Sequence, residues 1–109
     1  LRDYKLFIQD IILSCQKISR FIENVNFNDF SKDDKTIDAV IRNLEIIGEA
    51  VRKIPDSIKE KNANIDWQAI IGMRNIVIHD YFGVDIEEVW KTIREDIPAL
   101  EKAIKSISE

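Results

Sequence analysis

An all-α fold is predicted for this chain, and three observations predict it. Only 3 Gly and 2 Pro punctuate 109 residues, which favours a few long helices over many short strands. Apolar residues recur at three- and four-residue spacing over long stretches. A composition of 45% apolar and 33% charged residues fits a packed globular chain rather than a disordered one. The length predicts one domain, residues 1–109, built as a bundle of four main helices plus one short extra helix.

The first helix is predicted from about Arg2 to Asn24, where Tyr4, Phe7, Ile8, Ile11, Ile12, Cys15, Ile18, Ile22 and Val25 form one stripe. Asn26 to Phe30 reads as a polar-aromatic loop. Ser31, with Asp34 three residues later, reads as the start of a second helix. Its stripe runs through Ile37, Val40, Leu44, Ile47 and Val51 to Lys53-Ile54, and Pro55 ends it. A short helix is predicted over Pro55 to Lys61, with Asn62-Ala63-Asn64 as its exit. Asp66 is the expected cap of a third long helix beginning at Trp67 and ending near His79 to Tyr81, before Gly83. Asp85 with Glu88 caps the last helix, which carries Ile86, Val89, Trp90, Ile93, Ile97, Leu100 and Ile104. Pro98 lacks an N–H and predicts a kink or restart there. Gly48, inside the second helix, suggests close approach of another helix, and Trp67, Trp90, Phe82 and Phe7 are expected in the core.

Several chemistries are excluded by what is missing. Cys15 is the only cysteine, so no intrachain disulfide can form, and a cytoplasmic setting is expected. One Cys and one His cannot build a Cys/His zinc site within one chain, and no HExxH, Gly-rich phosphate loop or GxSxG elbow is present. No metal or cofactor is expected. Apolar runs are too short to span a bilayer, and no signal peptide is visible. The net charge is -4 and the pI about 5.1, so any nucleic-acid contact must be local or assembled from more than one chain.

One segment stands apart. Arg74-Asn75-Ile76-Val77-Ile78-His79-Asp80-Tyr81 holds the only histidine, set with an arginine in an otherwise apolar stretch. Histidine can move a proton near neutrality and arginine can hold a developing phosphate charge, the two needs of metal-free RNA cleavage. Asn75 and His79, at i and i+4, share a helix face, whereas Arg74 and His79 are turned by about 140° on an ideal helix. A second copy of the chain could supply the missing side. The plainer alternative is a hydrogen-bonded histidine near a helix end, with Arg74 in an ion pair.

This segment matches the Arg-x4-His-x-Tyr pattern of HepT-like toxins with a HEPN domain, the toxins of the HepT/MntA toxin–antitoxin family. The resemblance extends to Arg42-Asn43-Leu44-Glu45-Ile46-Ile47-Gly48-Glu49-Ala50, to Asp66-Trp67-Gln68-Ala69-Ile70-Ile71-Gly72-Met73, and to Tyr81-Phe82-Gly83-Val84-Asp85 with Val89-Trp90. It implies a HEPN-type antiparallel helical bundle that forms a homodimer around the motif-bearing helices. It implies a metal-independent endoribonuclease, the toxin of a type VII-like toxin–antitoxin system, with transfer RNA as the expected substrate. Its cognate antitoxin is a nucleotidyltransferase of the MntA type, expected to transfer AMP to the tyrosine after the motif, here Tyr81. Within that resemblance His79 is the expected proton-transfer residue, Arg74 the phosphate-binding cation, and Asn75 an orienting group or phosphate donor. The alternative is a non-catalytic dimeric helical module that binds the nucleotidyltransferase or a nucleotide.

Overall fold

The computed structural model describes residues 3–72 and 85–108, and among these the chain is helical with no strand. In chain order the elements are α1 (Tyr4–Phe21), α2 (Phe27–Ser31), α3 (Asp34–Arg52), α4 (Asp56–Lys61), α5 (helical over 67–72), α6 (Ile86–Lys91), a π-helical turn (Thr92–Asp96) and α7 (Ile97–Ser108).

Side-chain caps set most of these boundaries. Asp3 accepts from the Lys5 N–H at 3.0 Å and starts α1 at Tyr4, the first residue of its apolar stripe and two residues after the predicted Arg2. At the other end Asn24 takes φ 60°, the left-handed region, and lies outside the helix. The stretch read as a loop is instead α2: Asn26 accepts from the Asp29 N–H at 2.8 Å, and Phe30 is driven fully into the core. Five residues are too few to show a helical period in the sequence. Ser31 does not cap α3, because its hydroxyl donates back to Asn28 O at 2.8 Å. Asp33 takes that role, one oxygen accepting from the Thr36 N–H at 3.1 Å and the other from the Thr36 hydroxyl at 2.6 Å. Pro55 separates α3 from α4 and stands at the N-cap of α4.

Pro98 does not break the last helix. The Ile97 N–H donates to Thr92 O, five residues back, so the distortion is absorbed as a π turn just before the proline. Thr92 and Ile93 within that turn stay buried.

α1 packs against α3 and α7, and α2 lies on α3. Ile8, Ile11 and Ile18 of α1 meet a core completed by Val40, Leu44, Ile47 and Val51 of α3 and by Ile97, Leu100 and Ile104 of α7. Trp90 is half-buried, with its ring 4.9 Å from Phe30 and 6.1 Å from Phe27. Phe7 is also half-buried and Gly48 buried, whereas Phe82 lies outside the described residues. No described helix is long and apolar enough to cross a membrane.

Candidate functional site

Arg74, Asn75, His79 and Tyr81 all lie outside the described residues, as do Asp80 and the predicted end of the third long helix. What the structure supplies is the frame on either side of them.

On the N-terminal side the frame is the corner between α4 and α5. Asp66 Oδ1 accepts from the Ala69 N–H at 3.0 Å, as its position before Trp67 predicts. Trp67 is 8% exposed, and its indole N–H donates to Lys59 O and Asn62 O, both at 3.2 Å. The same ring therefore fills the core and ties α5 to the exit of α4. Ile65 and Ile70 bury on either side of it. Arg74 follows this anchor by seven residues.

On the C-terminal side Asp85 Oδ1 accepts from the Glu87 and Glu88 N–H groups at 3.1 and 3.3 Å. Val89 is buried behind this cap, and the Arg94 guanidinium lies 5.4 Å from the Trp90 ring centroid. Both ends of the 73–84 segment thus leave from capped helices that are fixed into the core.

Two clefts among the described residues carry carboxylates, and only the second carries cations as well. One of about 480 Å³ lies between α5 and the α6–α7 helix, with Ile65, Ile70 and Leu100 on its apolar wall and Asp66, Glu88 and Asp96 at its polar edge. A second, of about 260 Å³, lies between α1 and α3 and mixes Arg42 and Lys53 with Asp10, Glu45 and Glu49. Glu49 also faces Arg52 at 3.7 Å across an exposed, weak pair. Neither cleft offers the uniformly cationic lining that an RNA backbone attracts. Among the described residues no group of three or more His, Cys, Asp and Glu side chains could hold a metal ion.

Two buried groups bear on the chemistry. Cys15 is fully buried, and its pKa is pushed up to about 12, first by burial and then by the Glu101 carboxylate. That thiol is no nucleophile near neutral pH. Asn43, 6% exposed on α3, donates from Nδ2 to Ala39 O at 2.8 Å, while its Oδ1 is buried without a hydrogen-bond partner. It lies in the Arg42–Ala50 run, and no role was assigned to it from sequence. The available signal was a polar residue on the apolar arc of Val40, Leu44 and Ile47.

With that frame established, the sequence profile of the family described as ribonuclease HepT-like matches residues 11–107. The chain belongs to this family. A Thermococcus cleftensis protein named a probable ribonuclease HepT is 46% identical over 99 residues, covering 91% of this chain and 90% of its own. A Methanocaldococcus jannaschii protein is 41% identical over 106 residues, covering 97% of both chains. A Caldanaerobacter subterraneus protein is 41% identical over 101 residues, covering 93% of this chain and 90% of its own. The last two carry RNase names on a provisional footing. No solved structure matches the chain significantly.

The HepT-like family membership accounts for the all-helical architecture and for the extent of the resemblance. It also gives the Arg74–His79 segment a chemical context that helical spacing alone does not.

Proposed function

We propose that this protein is a metal-independent endoribonuclease, the toxin of a toxin–antitoxin pair, acting on transfer RNA as a homodimer. The observation that carries this reading is the Arg74-x4-His79 pattern in a chain of the HepT-like ribonuclease family. The 2′-hydroxyl of the ribose attacks the adjacent phosphorus, and the 5′-oxygen of the next nucleotide leaves. His79 serves as the proton-transfer group, taking the hydroxyl proton or delivering one to the leaving oxygen. Arg74 holds the non-bridging oxygens with a permanently charged planar fork. Asn75, four residues from His79, orients the imidazole or donates to phosphate.

A nucleotidyltransferase antitoxin silences the site through Tyr81. The phenol oxygen attacks the α-phosphorus of ATP, pyrophosphate leaves, and the phenol proton passes to a base. The product carries a bulky anionic AMP beside Arg74 and His79 in sequence, which opposes RNA by repulsion and by size. The expected compartment is the cytoplasm, where transfer RNA and ATP are both found.

The test is cleavage of purified transfer RNA in EDTA by the unmodified wild type and by His79→Ala. Cleavage by the wild type alone supports the assignment. Equal cleavage by His79→Ala removes His79 from the mechanism, and no cleavage by either, with confirmed dimers and unmodified Tyr81, points to the non-catalytic binding module or to a different RNA substrate. Tyr81→Phe should keep cleavage and lose AMP incorporation, and AMP found on another residue overturns the Tyr81 assignment.

A further inference from the structure

We infer that the cleft between α5 and the α6–α7 helix is a binding site for a linear aliphatic polyamine. Its volume of about 480 Å³ lies in the range of small-molecule pockets. Asp66, Glu88 and Asp96 stand along it, and no Lys, Arg or His is among the described residues that line it. None of these three carboxylates forms an ion pair with a described residue. The cleft is therefore negative and uncompensated, which selects a cationic occupant. Ile65, Ile70 and Leu100 form its apolar wall, so the occupant carries hydrocarbon as well as charge.

Thr92 points to a ligand rather than to a solvated acidic face. It is 7% exposed, and among the described residues its hydroxyl has no hydrogen-bond partner. Of the described side-chain oxygens and nitrogens without a partner, only Asn43 Oδ1 is fully enclosed. The Thr92 hydroxyl therefore opens on the cleft that Thr92 lines, where it can accept from an N–H of an occupant.

The spacing of the acids sets the kind of cation. Among the described residues no group of three or more His, Cys, Asp and Glu side chains could hold a metal ion, so a compact cation is not gathered here. Glu88, Thr92 and Asp96 follow at four-residue steps, and Glu88 and Asp96 are about 12 Å apart along the helix. A linear polyamine spreads its ammonium groups along a methylene chain. Its ends meet Glu88 and Asp96, an inner amine donates to Thr92 between them, and the methylenes lie on the apolar wall. Asp66, at the start of α5, adds a third carboxylate from across the cleft. No residue of the Arg74–Tyr81 segment is involved, so the site stands independently of the proposed activity.

The experiment is calorimetric titration of spermidine into the full chain at low salt. The variants are Thr92→Val, Glu88→Gln/Asp96→Asn and a control, Asp38→Asn/Glu60→Gln, which removes the same charge from exposed positions outside the cleft. The wild type should bind one spermidine per chain, and the control should bind nearly as well. Glu88→Gln/Asp96→Asn should weaken binding roughly tenfold, as two exposed ion pairs would. Thr92→Val, which keeps the shape, should weaken it roughly threefold. Equal losses in the two double variants would show general attraction of cations to an acidic protein and overturn the inference. Unchanged affinity in Thr92→Val overturns it too, as does displacement of spermidine by equimolar magnesium. Affinity that falls as the chain is concentrated would show the cleft filled by another protein copy, and the polyamine assignment would fail.

Discussion

Trp67 is the most consequential residue of the described frame, and truncating it in two steps separates its two roles. Trp67→Ala removes a side chain that is 8% exposed and leaves a large cavity. Such changes cost about 3–5 kcal/mol. Trp67→Phe keeps most of the apolar volume and removes the indole N–H. That N–H is shared between Lys59 O and Asn62 O, each of which keeps a backbone partner: the Asn62 N–H at 3.1 Å and the Ile65 N–H at 3.0 Å. No carbonyl is orphaned, so the lost bond costs only ~0.5–1.5 kcal/mol, and the smaller ring brings the total to roughly 1–2 kcal/mol. At roughly 4 °C per kcal/mol for a domain of this size, Tm should fall by about 4–8 °C for Trp67→Phe and about 12–20 °C for Trp67→Ala. The assay is thermal melting by far-UV circular dichroism at one fixed chain concentration, because association would itself shift Tm. Equal losses for the two variants would refute the reasoning, since the N–H bonds and not the burial would then hold the α4–α5 corner.

Three further outcomes follow from the same physics. Asn43→Leu removes the unpartnered Oδ1 together with the single Nδ2 bond to Ala39 O, so urea denaturation should show stability unchanged or raised; a loss above ~1 kcal/mol would mean that Oδ1 is partnered in solution. Cys15 has a folded pKa raised from 9.0 to about 12, so its contribution to stability is complete below pH 9 and is lost as pH rises towards 12. Urea midpoints in reductant should decline across that window, Cys15→Ala should flatten the decline, and an identical alkaline limb in both proteins would contradict the cause. If Arg74 is the phosphate contact of each protomer, two neutralised phosphates predict a slope of about -1.4 for log affinity against log salt on single-stranded RNA. A slope several times steeper would place the RNA on another cationic surface, with Arg42 and Lys53 the first to substitute.

Legibility in the sequence followed the range of the interaction. The long apolar stripes of α1, α3 and the α6–α7 helix were readable because each repeats over several turns. The caps Asp66 and Asp85 were readable because a carboxylate directly before a periodic run has few other uses. α2 was not readable: its existence rests on Asn26 and on Phe30 reaching a core that includes α3 and the ring of Trp90, a contact distant in sequence. Asp33 displaced Ser31 as a cap through a bidentate contact with Thr36 that no spacing rule singles out. The consequence of Pro98 was readable but its form was not, since helices on either side and buried Thr92 and Ile93 make a π turn cheaper than a break. For the candidate site, the residue types of the Arg74–Tyr81 segment were legible. The Asp85 cap and the burial of Trp67 on its flanks were legible as well, whereas the indole N–H bonds from Trp67 to Lys59 O and Asn62 O came only from the structure.

The charge distribution explains why a single modification would suffice on the proposed reading. The chain carries 20 acidic against 16 basic residues, and both clefts described here include carboxylates. A polyanionic RNA therefore gains little from the body of the protein and is repelled by it at long range. On the proposed reading its affinity then rests on Arg74 and His79, so the groups that bind the phosphate are also the groups that do the chemistry. A basic RNA-binding protein could lose one contact and stay bound through the others. On the proposed reading neither described cleft supplies such a reserve, and one negative charge with one nucleotide's bulk at Tyr81 would oppose both binding and catalysis together.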